Sequence, residues 1–247
     1  FKKKIFILFS KIFSMHKNII WHASTSIEEE DIKKNFSNAK IKVVTNISLI
    51  KHQKKLVRKI KKIKQLKILF LSRITKMKNL IGALHILSIF KDVIEFNIYG
   101  PQENKEYYND VISLIKRLPK NIKITINGPI AHEDISNIFD QNHVLLLPTF
   151  GENYGHVINE SILNNCPVII SDKTPWQDLE FNNLGYVCDV TKYQEFQKKI
   201  KFFLEMDQNQ YDNYVNDMYG NVSKVINTKN IISKYLDLFK IKSEKKS

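Results

Sequence analysis

Between residues 66 and 204, short apolar runs alternate with amphipathic stretches of helical spacing, and this alternation limits the fold more than any other feature of the 247-residue chain. The runs are LKILFL (66–71), IEFNIY (94–99), IKITI (122–126), VLLL (144–147), PVII (167–170) and YVCDV (186–190). Between them lie 79–90, with Leu80, Ala83, Leu84 and Leu87 on one face, then 103–118, broken by Pro119, then 132–140 and 155–165; a last helix is expected over 192–204. Strands alternating with helices predict βαβ units and a parallel sheet. VLLL and PVII are apolar throughout, so both faces of the sheet must be covered. Apart from Gly220, all seven glycines and six prolines fall from Gly82 to Gly185, where turns are needed. The expected class is α/β, with one doubly wound parallel-sheet (Rossmann-like) domain over 66–205. Such sheets bind ligands outside the carboxyl ends of their strands, so the loops after Leu71, Tyr99, Leu147 and Ile170 are the places to search.

The ends read differently. Residues 2–14 predict a helix with Ile5, Phe9, Ile12 and Phe13 on one face, followed by a strand (18–21), a helix (27–36) and a strand (41–44). This αβαβ piece is too small for a domain. Residues 1–48 read as the C-terminal end of a preceding α/β domain, 49–65 as a basic linker, and 206–247 as C-terminal helices able to pack back across the first domain. The start, FKKKIFILFSKIFS, has too short an apolar core and no small-residue cleavage site for a signal peptide. Because it opens on Phe, the chain is read as an internal fragment. No run of about 18 apolar residues predicts a membrane-spanning helix. Cys166 and Cys188 lack metal-ligand spacing and read as free thiols in a reducing, cytoplasmic setting. The sequons at Asn35, Asn46 and Asn221 carry little weight there.

A formal charge of +14 invites a nucleic-acid partner. Yet Arg58, Arg73 and Arg117 are the only arginines among 39 basic residues, and arginine supplies the forks that read guanine and phosphate. The densest run, 51–67, holds nine basic residues in 17 without interleaved aromatics for base stacking. It reads first as a solvated linker or helix face and second as a patch for an anionic membrane surface. No nucleic-acid partner is expected.

The chain has no GxxxxGK, GxGxxG, DxD or HExxH motif, which removes the P-loop, the simplest dinucleotide fingerprint, a DxD-held metal nucleotide and a zincin site. The informative stretch is PTFGENYGHVINESILNNCPVIISDKTPWQD (148–178). A buried strand ends at Pro148, and a loop leads into a helix starting near Gly155, whose first-turn N–H groups form an anion site. Glu152 lies on the loop and Glu160 inside the helix. A carboxylate there opposes a pure phosphate pocket but accepts two hydrogen bonds from adjacent hydroxyls. The second stretch, SRITKMKN (72–79), follows the first strand of the domain, so Arg73 and Lys78 can reach a diphosphate from the same edge. Two cations, open amides and a hydroxyl-binding carboxylate together suit a nucleotide diphosphate carrying a ribose and a sugar.

These residues resemble the retaining GT-B glycosyltransferases of family GT4, the glycosyl transferases group 1. Glu152 and Glu160 have the family's seven-residue spacing, and Tyr154, Gly155, Pro167 and Val168 hold their places in its Glu-Gly-Phe-Gly … Glu … Gly-x-Pro-Val pattern. Arg73, Lys78 and Asn79 resemble its RxxxxKN loop, and HAST (22–25), Glu28, Glu29, Glu30 and KVVTNIS resemble the passage between its two domains. The resemblance, over roughly 17–205, implies a GT-B fold and hexosyl transfer from a nucleotide-diphosphate sugar to an acceptor hydroxyl, with no metal or further cofactor. It implies that Arg73 and Lys78 bind the diphosphate, Glu160 the ribose, and Glu152 the transferred sugar. The amides of Tyr154, Gly155 and His156 would cradle the distal phosphate, Asn153 would join them in donor binding, and Thr174 would help shape the sugar pocket beside Trp176. Asn153 replaces the family's usual glycine, as a residue that tolerates left-handed backbone; His156 and Asn165 also depart from the pattern, as does TPW (174–176) in place of a Gly-Gly loop. The implied partners are a nucleotide-sugar donor, a glycan or lipid-linked acceptor and a peripheral anionic membrane contact, in cell-surface glycan synthesis. The alternatives are a sugar-nucleotide-binding module without activity and a lysine-rich protein for anionic surfaces or nucleic acid.

Overall fold

The apolar runs pair side by side in one parallel sheet. A computed structural model describes residues 2–13, 19–44, 53–225 and 228–239, and the chain divides into two units, residues 1–49 with 227–247 and residues 50–226. In chain order the elements are α1 (Lys2–Ile12), β1 (Ile20–Ala23), α2 (Ser26–Asn35), β2 (Lys40–Val43), β3 (Gln65–Leu71), α3 (Leu80–Leu87), β4 (Val93–Tyr99), α4 (Lys105–Ile115), β5 (Ile122–Ile126), α5 (Ile135–Gln141), β6 (Val144–Leu147), α6 (His156–Leu163), β7 (Val168–Ser171), β8 (Gly185–Cys188), α7 (Tyr193–Glu205), α8 (Gln208–Val225) and α9 (Thr228–Leu238). The expected strands are present, with ends displaced by two residues at most. The helix expected over 132–140 opens as a 3₁₀ turn, His132–Asp134, before α5.

In the larger unit the strand order is β5-β4-β3-β6-β7-β8, with every pairing parallel. Numbered within this unit, that is 3-2-1-4-5-6, the doubly wound order. The winding reverses between β3 and β6, and the carboxyl ends of these two strands mark the switch point at which such sheets bind ligands. Every residue of β6 and β7 is buried, as the uninterrupted apolar runs require. On one flank α3 packs against α4 and α7. Tyr211 of α8 is wholly buried and donates from its hydroxyl to the His143 carbonyl at 2.7 Å.

Residues 53–62 form neither helix nor strand and are mostly exposed, but Lys59 and Lys61 among them are buried. Lys54 Nζ meets Asp140 at 2.5 Å, Lys59 Nζ donates to the Asn165 carbonyl at 3.3 Å, and Lys61 Nζ donates to the carbonyls of Lys62 and Met206 at 2.7 and 2.9 Å. Carbonyls around helix C-termini lack intrahelical donors, and these lysines supply them after α6 and α7. Burial pushes the Lys59 ammonium below its ordinary range and that of Lys61 down to about 8.

In the smaller unit β1 and β2 pair in parallel, Ile20 opposite Lys40. Thr25 Oγ1 accepts from the Glu28 N–H at 3.2 Å while Glu28 accepts from the Ser24 N–H and hydroxyl at 2.7 and 2.6 Å, a reciprocal cap that starts α2. Helix α9 belongs here: Asp237 pairs with Lys42 at 2.9 Å, and the Tyr235 ring lies 5.4 Å from that of His22. The segment 206–247, read as one block, is therefore divided, with α8 in the larger unit. The Leu8, Phe9, Ile12 and Phe13 side chains are exposed. Among the described residues no helix is long and apolar enough to cross a membrane. Asn46, the start of the basic run and the tail from 240 lie outside the described residues.

Candidate functional site

The loops leaving β3 and β6 are stitched together largely through backbone groups. After β3 the chain makes a 3₁₀ turn, Lys76–Lys78, and Asn79 takes a left-handed φ of 56°. Asn79 Oδ1 accepts from the Gly82 N–H at 3.1 Å, capping α3, and its Nδ2 donates to the Pro148 carbonyl at 2.9 Å. The Phe150 N–H donates to the Met77 carbonyl at 2.8 Å, and Ser171 Oγ donates to the Thr149 carbonyl at 2.6 Å. This frame brings Lys78 Nζ to 2.5 Å from Glu152 Oε2, and Lys78 is only 7% exposed. The structure thus brings together two of the residues expected to act in catalysis.

Gly155 enters α6 with φ 80°. A Cβ there would lie 2.7 Å from Ile158 Cδ1 and 3.1 Å from Glu152 Cγ, so both backbone hand and space require glycine. No side chain caps α6, and its first-turn amides carry the positive end of the helix dipole at the carboxyl edge. Tyr154 is buried, with its ring 5.0 Å from His156 and 5.6 Å from Trp176, and Trp176 Nε1 donates to the Tyr154 carbonyl at 2.5 Å. Trp176 therefore anchors the loop. Thr174 is 1% exposed, and its hydroxyl accepts from the Trp176 N–H at 3.3 Å, inside its own turn.

Two expectations about asparagine change places. Asn153 is exposed and is not among the residues of positive φ; around α6 the left-handed asparagine is Asn165, at φ 54°, just beyond the helix. A helix exit favours glycine or asparagine there, which accounts for the departure from the family's Gly-x-Pro-Val.

Glu160, the fifth residue of α6, is 8% exposed, and its carboxylate has no hydrogen-bond or ion-pair partner among the described residues. Burial raises its pKa above the usual carboxylate range, opposed by the His132 imidazole. Arg73 is not joined to Lys78 and Glu152. Its Nη1 lies 3.0 and 3.3 Å from the two Glu103 oxygens, and its side chain is 61% exposed. The cause lies in the neighbouring strand ends. The Ile74 N–H donates to the Pro101 carbonyl at 2.9 Å, and Gly100 leaves room for the Ser72 carbonyl, 1.9 Å from where a Cβ would stand. The loop after β4 thus runs beside the Arg73 loop and delivers Glu103.

Glu103, His132, Thr149 and Ser171 were missed from sequence. Glu103, Thr149 and Ser171 carried the signal of lying shortly after Tyr99, Leu147 and Ile170, in loops marked for search, and His132 carried none. Among the described residues no three His, Cys, Asp or Glu side chains are grouped to hold a metal ion. Chemically, the carboxyl edge offers a shielded ammonium, a guanidinium, open helix amides and a buried carboxylate free to accept hydroxyls.

Known proteins resemble this chain in sequence or share its fold. A Klebsiella pneumoniae protein described as an uncharacterized 41.2 kDa protein in the cps region is 28% identical over 181 residues, covering 69% of this chain and 47% of that one. The chain thus spans about half the length of this curated relative. The structure of Anabaena Alr3699/HepE in complex with UDP and glucose is similar with a TM-score of 0.73 at 15% identity, over 89% of this chain and 62% of that one. A TarM variant of S. aureus, solved with UDP, fondaparinux and α-GlcNAc-glycerol, gives 0.69 at 19% identity, over 88% and 43%. These likenesses give the fold as that of GT-B glycosyltransferases. Residues 51–220 match the family described as glycosyl transferases group 1, and the chain belongs to that family.

Proposed function

We propose that this chain is the donor-binding part of a glycosyltransferase that moves a hexosyl unit from a nucleotide-diphosphate sugar to an acceptor hydroxyl. The observation that carries the reading is Glu160, a mostly buried residue whose carboxylate meets no hydrogen-bond or ion-pair partner among the described residues, in a helix whose N-terminus has no side-chain cap. A carboxylate repels phosphate but accepts two hydrogen bonds from vicinal hydroxyls. A ligand that carries both groups is a ribonucleoside diphosphate, and the UDP bound in the TarM and HepE structures supports this class.

In this reading the departing diphosphate gains charge as the glycosidic bond breaks. Lys78, Arg73 and the amides of Tyr154, Gly155 and His156 stabilise it without a metal, Glu152 approaches the transferred sugar, and Asn153 and Thr174 border it. Retention and GT4 membership follow from the family pattern. The smaller unit, with β1, α2 and β2, belongs in this reading to the acceptor side. The acceptor is a glycan or lipid-linked glycan of the cell surface; the fondaparinux and α-GlcNAc-glycerol bound by TarM support a glycan acceptor. The exposed apolar face of α1, with Lys11 beside it, supports peripheral contact with the anionic cytoplasmic membrane face.

Calorimetric titration with UDP and GDP tests the donor site. Binding of one of them is expected, with Glu160→Gln at least about tenfold weaker, the scale of hydrogen bonds to a charged group, and with the 2′-deoxy nucleotide weakened in wild type. A wild type that binds neither nucleotide, or a Glu160→Gln protein that binds as tightly as wild type, removes the assignment.

A further inference from the structure

Both cations assigned to the donor diphosphate are already neutralised. Lys78 Nζ lies 2.5 Å from Glu152, and Arg73 Nη1 lies 3.0 Å from Glu103. The carboxylates come from different loops, Glu152 from the one after β6 and Glu103 from the one after β4, so the neighbour on each side of β3 brings its own counter-charge to the β3 loop. The two pairs differ in shielding. The side chains of Lys78 and Glu152 are 9% and 18% exposed, whereas those of Arg73 and Glu103 are 61% and 43% exposed.

We infer that Glu152 and Glu103 hold the cations that a donor diphosphate would take and must be displaced by it, so that both set donor affinity by competition. The inference rests on the donor-site reading and adds Glu103, a residue outside the family pattern quoted above, as an affinity-setting group. A diphosphate arriving at Lys78 takes over the ammonium's hydrogen bonds, because lysine has three donors on one compact charge. The Glu152 carboxylate, released from its short contact, is then repelled by the phosphates and turns to the neighbouring sugar hydroxyls. Donor binding in this way delivers Glu152 to the sugar. At Arg73 the exchange is between a carboxylate and a phosphate oxygen on the same planar fork. The Glu103 contact is solvent-screened and costs the donor little. The Glu152 contact is shielded, and a lysine left without its carboxylate there holds an incoming anion more tightly.

The sign of the effect separates this from any direct binding role. A carboxylate that contacts donor loses affinity when neutralised, whereas a carboxylate that competes gains it. UDP affinity, with GDP and ADP as parallel arms, is measured by calorimetry for wild type, Glu103→Gln, Glu152→Gln and Glu160→Gln. Glu103→Gln is expected to bind about two- to fivefold tighter, and Glu152→Gln about tenfold tighter or more. The gain from Glu103→Gln should vanish in an Arg73→Ala background, as a double-mutant cycle reads it. Wild-type binding that weakens in Glu160→Gln but is unchanged or weaker in Glu103→Gln and Glu152→Gln overturns the exchange while leaving the donor site in place. If Glu152→Gln does not fold, the surface variant Glu103→Gln and its cycle decide alone. Absence of binding in every protein overturns the exchange and the donor site together.

Discussion

Buried lysines sit at both ends of the same sheet, and their partners differ in kind. At the carboxyl edge Lys78 is held by a side-chain carboxylate, Glu152. At the amino edge, around the segment that leads into β3 and the turn that leads into β7, Lys59 and Lys61 are held by backbone carbonyls. A carbonyl of a packed chain cannot leave, so Lys59 and Lys61 work as latches that fix residues 53–62 to the domain. A carboxylate on a loop can turn away, so Lys78 can change partners. Burial alone therefore does not mark a functional lysine; the freedom of its partner does.

The sharpest way to break this comparison is to replace each lysine by the unbranched, neutral methionine. Lys78→Met should lose about 10- to 100-fold in nucleoside diphosphate affinity, the scale of a hydrogen bond to a charged group. Lys61→Met should leave that affinity unchanged, because it touches only Lys62, Leu204 and Met206 carbonyls. Calorimetry of the two variants checks the contrast, and equal losses would erase the distinction between the edges.

Much of this architecture was legible before any coordinates. VLLL and PVII announce doubly covered strands because an uninterrupted apolar run of that length has no other place in a soluble α/β sheet. The helix mouth at Gly155 was legible because strand, loop and glycine adjoin in sequence. The pairing of charges was not. Lys78 and Glu152 meet only because β3 and β6 are neighbours at the switch point, and Arg73 meets Glu103 only because β4 flanks β3 on the other side. Nothing local separates Lys59 and Lys61 from the solvated lysines around them, since their partners after α6 and α7 lie more than a hundred residues away. The same distance hid the place of α9, whose Asp237 reaches back to Lys42.

A smaller effect sharpens the amino-edge half of the comparison. The folded pKa of Lys61 is lowered from 10.5 to about 8 by burial, and that of Lys59 is lowered as well. Between about pH 8 and 10 the unfolded chain then binds more protons than the folded one at these sites, so their contribution to stability rises with pH across that window and is flat below it. The change in urea midpoint from pH 7 to pH 9 should be more positive in wild type than in Lys61→Met, because the raised pKa values of Cys166 and Cys188 act equally in both proteins. A slope unchanged by that substitution would mean that Lys61 keeps its proton in the folded state.

The smallest effect concerns a buried charge of opposite sign at the carboxyl edge. Burial raises the pKa of Glu160, with the His132 imidazole opposing. The folded state therefore holds this proton more tightly than the unfolded chain does. Stability falls as pH climbs from the ordinary carboxylate value through the raised one, and remains lower at neutral pH. Glu160→Gln keeps the shape and removes the charge, so at pH 7 it should melt about 1–3 °C above wild type, the shift that somewhat under 1 kcal/mol produces in a chain of this size. The advantage should fade toward pH 4, where wild type is protonated as well. Saturating UDP stabilises whichever protein binds it, so it should raise the wild-type melting temperature past that of the variant. A site that is costly when empty and recovers that cost on binding behaves this way, whereas a merely misplaced carboxylate would leave the variant ahead with and without nucleotide.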